Sequence, residues 1–257
     1  MLIKLLKFFY RIFISVGLDL QNILYFKYIF KYLKTEKEWL KQGGKIDKRF
    51  IFLRDFEANA GSSKGQYFHQ DLLVANMIFK NKPVRHIDIG SRIDGFVSHV
   101  ASFRKIEVMD IRPLKISIHK NIKFVQADLM NPQNIKKTDS LSCLHAIEHF
   151  GLGRYNDPID INGHIKGINN LISLLKKNGT FYISFPIGLK DKIYFNANRI
   201  FHPLSILDIP SVKKYLILTR FDYIDQKGDL HCECDLEKIY DKVKNGCGIY
   251  TFKKVQN

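Results

Sequence analysis

Cysteine is scarce: the 257-residue chain has 4, at Cys143, Cys232, Cys234 and Cys247. No cleavable secretory signal of the usual layout precedes them, so a reducing cytoplasm is the expected compartment and no disulfide framework is needed. Cys232-Glu-Cys234, with His231 and Cys247, has poor spacing for zinc, and no metal is expected. Long hydrophobic runs are missing too. Near the N-terminus Ile12–Leu18 is uncharged but falls far short of the roughly 20 residues that a membrane span requires. Acidic residues are few, 25 against 41 Lys and Arg, which leaves a net charge of +16. Such a field favours anionic partners such as phosphorylated metabolites, nucleic acid or an acidic lipid face. The turn signature Gly-x-Gly-x-x-Gly is absent and no Tyr–Lys pair of the short-chain reductase kind is evident, which weighs against a nicotinamide-dependent oxidoreductase. There is no internal repeat and no low-complexity tract.

What is present is a 46% hydrophobic share, enough for a sizeable core, and one stretch that organises the rest. In residues 84–110 an apolar run from Val84 to Ile89 ends in Gly90, and Ser91–Asp94 make a polar turn. Gly95 opens a segment with apolar residues at Phe96, Val97, Val100 and Phe103, which is helical spacing, and the run Ile106–Met109 ends on Asp110. Strand, glycine turn, helix and strand with a terminal carboxylate make the first half of a nucleotide-binding α/β domain. Downstream the pattern continues. Strands are expected over Ile122–Gln126, Ser140–Leu144 and Thr180–Phe185, and a helix over Ile165–Leu175 stopped by Asn178-Gly179. Residues 187–210 read as irregular, and Tyr215–Ile224 and Ile249–Val255 as a late antiparallel edge pair. The expected fold is α/β: a doubly wound, mostly parallel seven-stranded Rossmann-like sheet with an antiparallel C-terminal edge.

Residues 1–54 read as an N-terminal helical appendage and 55–257 as the main domain. Lys4, Lys7, Arg11, Ser15, Asp19 and Asn22 form one polar stripe, and Lys27, Lys31 and Lys34 a second in another register, so two helices or a kink near Gly17–Asn22 are expected. Residues 1–34 either pack on protein, including a second copy of the chain, or lie on an anionic membrane face. The small-residue loop Ala58–Gly65 runs into Gln66-Tyr67-Phe68-His69-Gln70-Asp71, placed to fold over a ligand, with Tyr67 and His69 as candidate contacts.

In a parallel sheet the strand ends on the carboxyl side line one crevice, where ligands bind. Here those ends carry Asp88 and Gly90, then Asp110, then Asp128, then His145 to His149. Asp110, 20 residues after Gly90, suits a ribose diol, and Asp128 an adenine amino group.

The succession HIDIGSRIDG, VMDIRP, ADLM, SLSCLHAIEHF and NNLISLLKKNGTFYISFP resembles the motif series of class I S-adenosylmethionine-dependent methyltransferases. With QYFHQDL and the Glu-His-Phe-Gly-Leu-Gly-Arg-Tyr run it is nearest a bacterial group filed as domain of unknown function 268, over about residues 60–205. The resemblance implies S-adenosylmethionine as cofactor, with Asp88, Gly90, Ser91, Arg92 and Gly95 around its methionine end. It implies Asp110 and Ile111 at the ribose, Asp128 and Leu129 at the adenine, and His145 beside them. One departure stands out: the usual DxGxGxG loop lacks its middle glycine here, and Arg92 sits where bare backbone is expected. After strand four there is no proline–aromatic motif of the base methylases, so no nucleic-acid substrate is expected and an O-directed reaction fits better. His149 is the candidate base, Glu148 its orienting partner or a wall of the cofactor pocket, and His145 shares their turn. Arg154, Tyr155, Asp157, Arg199 and His202 are candidate contacts to an acceptor, with Asp160 beside them. The family's setting implies an anionic small molecule or glycan precursor of bacterial surface-polysaccharide (capsule) synthesis, in the cytoplasm or at the inner membrane face. A degenerate, non-catalytic scaffold is the remaining alternative.

Overall fold

A computed structural model describes residue 17 and residues 20–114 and 119–255. The chain divides into two compact units, Met1–Ser62 and Ser63–Asn257. In the first, a 3₁₀ run over Leu20–Tyr28 leads straight into helix α1 (Ile29–Lys41), none of whose residues is buried. No glycine or proline interrupts that stretch, and the helix ends where Gly43 and Gly44 turn their N–H groups back onto Leu40 and Trp39. The first polar stripe, apart from Asn22, falls outside the described residues, as do residues 18 and 19 of the expected kink; of the second stripe, Lys27 lies in the 3₁₀ run and Lys31 and Lys34 in α1. Among the described residues no helix is long and apolar enough to cross a membrane.

The second unit is built on strands buried on both faces. It begins with α2 (Gln66–Asn81), β1 (His86–Ile89), a short turn of helix over Ile93–Val97 continuing into α3 (Ser98–Ala101), β2 (Ile106–Asp110), β3 (Ile122–Gln126) and β4 (Thr138–Leu144). It continues with α4 (Gly163–Leu174), β5 (Leu175–Gly188), the hairpin β6 (Lys192–Tyr194) and β7 (Asn198–Ile200), α5 (Pro210–Tyr215), β8 (Leu216–Ile224), β9 (Leu230–His231), α6 (Leu236–Ile239) and β10 (Asn245–Lys254). The sheet has eight strands in the order β3-β2-β1-β4-β5-β10-β8-β9. The first five are parallel; β10 runs antiparallel between β5 and β8.

Because side chains alternate across a strand, each strand feeds two cores. Ile87, Ile89, Phe181, Ile183, Phe185, Tyr250 and Phe252 meet Ile168, Leu171 and Ile172 of α4 and Val212 of α5 on one face. Ile106, Val108, Tyr182, Cys247 and Ile249 meet Val74, Ala75 and Ile78 of α2 on the other. Helices thus cover both faces, as a doubly wound sheet requires. The buried Lys254 at the end of β10 donates to the carbonyls of Ile172 and Leu175, 2.8 Å each, and so closes the C-terminus of α4 with a cation.

The structure departs from the sequence expectation in three places. Among the described residues the main sheet has eight strands rather than seven, because the two-residue β9 pairs with β8 through Tyr223↔His231 and Ile224↔Leu230. The last strand is not at the edge: its long apolar run is buried between β5 and β8. Helix α4 stops at Leu174, four residues before Asn178, and Asn178 takes a φ of 63° inside the strand instead, where the β4–β5 register shifts between Thr138 and Ser140.

Candidate active site

Strand order reverses between β1 and β4, and outside their carboxyl ends lies a cavity of about 720 Å³. That is the place where open α/β sheets hold ligands, and the volume is of small-molecule size. The turn after β1 forms its floor. Gly90 has a φ of 76°, and a Cβ there would stand 2.7 Å from the Cβ of Ala146, so only glycine fits. Ser91 lines the cavity while its N–H and hydroxyl hold Asp88 at 3.1 and 2.9 Å. Asp88 also accepts from the Ser142 hydroxyl at 2.5 Å, and burial pushes its carboxyl up to about 7. Asp88 is fully buried and is not among the residues that line the cavity, where the sequence placed it at the cofactor's methionine end; it holds the turn through Ser91 and Ser142. Arg92 occupies the position of the missing glycine without filling the site. Its side chain is 74% exposed and folds onto Asp94 at 2.6 and 2.9 Å, at the cavity rim with Gly95.

Asp110, at the end of β2, lines the cavity but is not free. Arg112 donates to Oδ1 from its main-chain N (2.8 Å) and Nε (2.9 Å), and to Oδ2 from Nη2 (2.5 Å). The same Nη2 reaches the Gly90 carbonyl at 3.1 Å. Asp128 accepts from the Met130 N–H (2.9 Å) and the Asn131 amide (2.8 Å), and lines the cavity with Ile111 and Leu129. Each carboxylate keeps unused lone pairs, since two oxygens offer about four acceptor positions.

At the end of β4 His145 adopts a left-handed φ of 48°, uncommon for a residue with a side chain and a feature that clusters at functional sites. Its main-chain N–H is anchored to Ser184, and a 3₁₀ turn, Ile147–His149, follows. His145 Nδ1 bonds Glu148 Oε1 at 2.8 Å. Burial alone would lower the His145 pKa, but the adjoining Cys247 and Glu148 override it and hold it well above the ordinary histidine range. His145 Nε2 and Glu148 Oε2 are both buried without a hydrogen-bond partner. His149 Nδ1 lies 2.7 Å from the Ala197 carbonyl, which fixes the proton on Nδ1 and leaves the Nε2 lone pair free. Burial pulls the His149 pKa down, against the pull of Glu148. Glu148 Oε1 stands 3.8 Å from His149 Nε2, so the expected orienting contact is made to His145 instead, and Ala197 orients His149.

Among the candidate acceptor contacts, Tyr67, Arg154, Tyr155 and Asp157 line the cavity. The guanidinium groups of Arg112 (4.7 Å) and Arg154 (5.2 Å) both lie close to the centre of the Tyr155 ring. Asp157 spends its carboxylate on the N–H groups of Gly151, Gly153 and Tyr155. His69, Arg199 and His202 are not brought there. His69 packs on Phe68, His202 on Tyr240, and Arg199 is buried against main-chain carbonyls. Sequence reasoning missed Arg112, Gln66, Gln70 and Asp71. The helical period held the signal: Gln66 and Gln70, like Tyr67 and Asp71, are one turn apart on α2, and all four line the cavity, whereas His69 does not. Arg112 was within reach as well, because an Asp-x-Arg spacing lets the guanidinium fold back on its own carboxylate.

Solved structures share this fold. An N-methyltransferase, NodS from Bradyrhizobium japonicum WM9 in complex with S-adenosyl-L-homocysteine, is 11% identical with a TM-score of 0.51, over 75% of this chain and 89% of that one. The [4+2]-cyclase SpnF is 12% identical with a TM-score of 0.54, over 77% and 86%. An O-methyltransferase from a trans-AT PKS multienzyme of Brevibacillus brevis, also with S-adenosyl-L-homocysteine, is 12% identical with a TM-score of 0.51, over 72% and 71%. At such identities the likeness is one of fold. No curated protein matches the sequence. Residues 104–238 match the family described as Caenorhabditis protein of unknown function, DUF268; that description names Caenorhabditis, where the sequence reading expected a bacterial group.

Proposed function

The chain belongs to that DUF268 family, which residues 104–238 match, and from this premise and the switch-point cavity we propose that it is an S-adenosylmethionine-dependent methyltransferase acting on a hydroxyl oxygen. The observation that carries the reading is Glu148 Oε2, a buried acceptor without a partner on a residue of the cavity wall. A carboxylate oxygen left so is costly unless a ligand completes it, and the ammonium of the cofactor's methionine end is a suitable donor. The unpaired His145 Nε2 suits the carboxylate of the same end. Asp110 and Asp128, on successive strand ends in the same cavity, suit the ribose diol and the adenine amino group. Ile111, Leu129 and Met130 supply apolar walls. The solved structures of like fold include two methyltransferases holding S-adenosyl-L-homocysteine, which supports the assignment of the cofactor.

When bound, the cofactor supplies a methyl group already activated on a sulfonium, so the protein's work is alignment and exclusion of water. His149 is neutral near pH 7 because burial lowers its pKa, and Nε2 takes the proton of the acceptor hydroxyl. Glu148 Oε1, 3.8 Å from that nitrogen, stabilises the imidazolium so formed. The Ala197 carbonyl keeps the ring in place through the transfer. Arg112 and Arg154, both against the Tyr155 ring, suit an anionic acceptor, in keeping with the net charge of +16. A sugar or glycan precursor bearing phosphate, of the kind used in surface-polysaccharide synthesis, has that chemistry.

One observation favours a second reading, a cofactor-free protein on the same fold: Arg112 holds both oxygens of Asp110. The [4+2]-cyclase is a reminder that proteins of this fold are named for other reactions. Calorimetric titration of the purified chain separates the two. Saturable binding of S-adenosyl-L-homocysteine, without binding of NAD, is expected, and binding of neither would leave the second reading.

A further inference from the structure

Among the described residues, the buried side-chain atoms without a hydrogen-bond partner are His145 Nε2, Glu148 Oε2, His164 Nδ1 and Arg199 Nε. The first two belong to the cavity already described. The other two line a second cavity, of about 420 Å³, that shares none of its lining residues with the first. Its walls are apolar, with Ile168, Phe185 and Ile206 among them.

Arg199 is 4% exposed, and its partners are main-chain carbonyls: Phe150 (2.6 Å) and Glu148 (3.4 Å) through Nη1, and Ile161 (3.5 Å) through Nη2. The carboxylates of Asp157 and Asp160 act on this guanidinium through space, but its hydrogen bonds go to neutral carbonyls and its Nε has no partner, so a charged acceptor in contact would complete a cation that burial disfavours. Asp191 lines the cavity but is committed to the His202 N–H (2.5 Å) and the Ser205 hydroxyl (2.9 Å). His164 lies close enough to Arg199 to feel its charge. Burial first, and that charge second, lower its pKa to about 4, so the ring is neutral and Nδ1 can carry the proton. Two donors in an apolar chamber are complementary to an oxyanion attached to an apolar body.

We propose that this second cavity binds an amphipathic anion, a carboxylate or a phosphate monoester on a short aliphatic body, with the oxyanion at Arg199 Nε and His164 Nδ1 and the body against Ile168, Phe185 and Ile206. The site stands apart from the cofactor reading, since none of its residues is assigned to cofactor or acceptor there. It is coupled to the first cavity by geometry: the guanidinium that receives the anion also holds the carbonyls of Glu148 and Phe150, the turn that carries His149. An occupant at Nε therefore bears on the position of that turn.

The test is calorimetry on the full chain with octanoate, octyl phosphate, 1-octanol and inorganic phosphate. Octanoate or octyl phosphate binds saturably, and octanol binds at least about tenfold more weakly because it lacks the charge that completes Arg199. The tighter of the two anions identifies the head group. In His164→Phe the anion weakens by about tenfold, and His164→Asn, which restores a polar atom near the Nδ1 position, recovers it. Ile165→Trp, at a half-buried wall position, blocks binding by volume while leaving both polar groups intact. S-adenosyl-L-homocysteine is titrated into the same samples, so loss of one ligand is read separately from loss of the other. Octanol binding as tightly as octanoate, inorganic phosphate binding as well as octyl phosphate, no binding of either amphiphile, or affinities unchanged in His164→Phe and Ile165→Trp would each overturn the proposal.

Discussion

On β1 and β4, His86, Ser140, Ser142, Asp88 and Ser91 make one buried polar cluster; a few residues further along β4, His145, Glu148 and His149 make another. Their compositions are alike, one carboxylate with one histidine in the first and two in the second, and their wiring is not. In the first, parallel pairing sets His86 opposite Ser140 and Asp88 opposite Ser142. His86 Nδ1 meets the Ser140 hydroxyl at 2.8 Å and Nε2 the Ser142 hydroxyl at 3.1 Å, and Ser142 and Ser91 donate to Asp88. Each ring nitrogen and carboxylate oxygen there has a partner. In the second, two buried atoms have none. A closed cluster holds the glycine turn in shape; an open one calls for a ligand. Burial and unusual pKa are therefore poor guides by themselves, because Asp88 has both and faces no cavity.

The comparison breaks first at His149. His149→Ala is expected to lower turnover by about 10²-fold or more while cofactor affinity holds, because it removes the base and not a binding contact. Single-turnover kinetics beside a binding titration checks this, and unchanged turnover removes His149 from the mechanism. Next is Asp110→Ala, expected to weaken binding of S-adenosyl-L-homocysteine by about 1.5–3 kcal/mol, the loss of a charge-assisted hydrogen bond. The complementary change, Arg112→Ala, removes the guanidinium from both Asp110 oxygens and leaves only the main-chain N–H on Oδ1, so binding should tighten by about 1 kcal/mol where guanidinium and ribose diol compete.

The closed cluster should answer to pH rather than to ligand. Asp88 is raised from 3.8 to about 7, so the folded state keeps a proton that the unfolded state has lost, and its contribution falls as pH rises through that window. His86 is lowered from 6.5 to about 3, by burial first, so the unfolded state holds the extra proton and its contribution rises with pH over that window. Between about pH 4 and 6.5 the two slopes oppose each other. His86→Gln should leave stability falling by about 1.4 kcal/mol per pH unit as pH rises there, and Asp88→Asn should leave the reverse slope. Denaturant melts across pH read both, and parallel profiles for the two variants would show that the cluster is not wired this way. The smallest effect is at Glu107, held down to about 2 by Arg85 first and Lys123 after it. Its contribution is fully present above about pH 4.5 and lost as pH falls through about 2, so Glu107→Gln should cost under about 1 kcal/mol at pH 7, and the cost should shrink towards nothing as pH falls below that window.

The sequence made the open cluster easier to find than its wiring. Gly90, Asp110, Asp128 and His145 were legible because strand ends are marked by abrupt changes from apolar to polar residues, and a parallel sheet collects those ends. The strand around Phe181 was legible because its apolar run is continuous, which is how a strand buried on both faces reads. The β6–β7 hairpin was not legible, since strands of three residues around Phe195, Asn196 and Ala197 carry no period. That omission hid Ala197, whose carbonyl fixes the tautomer of His149. Arg199 looked like an anion ligand for the acceptor because a lone arginine in an irregular stretch reads as surface; the short strand β7 buries it instead. The position of β10 was missed because a run buried on both faces marks a strand as interior without naming the strands it pairs with.

The account is tested most directly by a crystal structure of the chain with S-adenosyl-L-homocysteine. It should show the ligand across the ends of β1, β2 and β4, with its ammonium on Glu148 Oε2 and Asp110 released from Arg112 to take the ribose. Glu148 Oε2 still without a partner, or the ligand bound away from those strand ends, would contradict it.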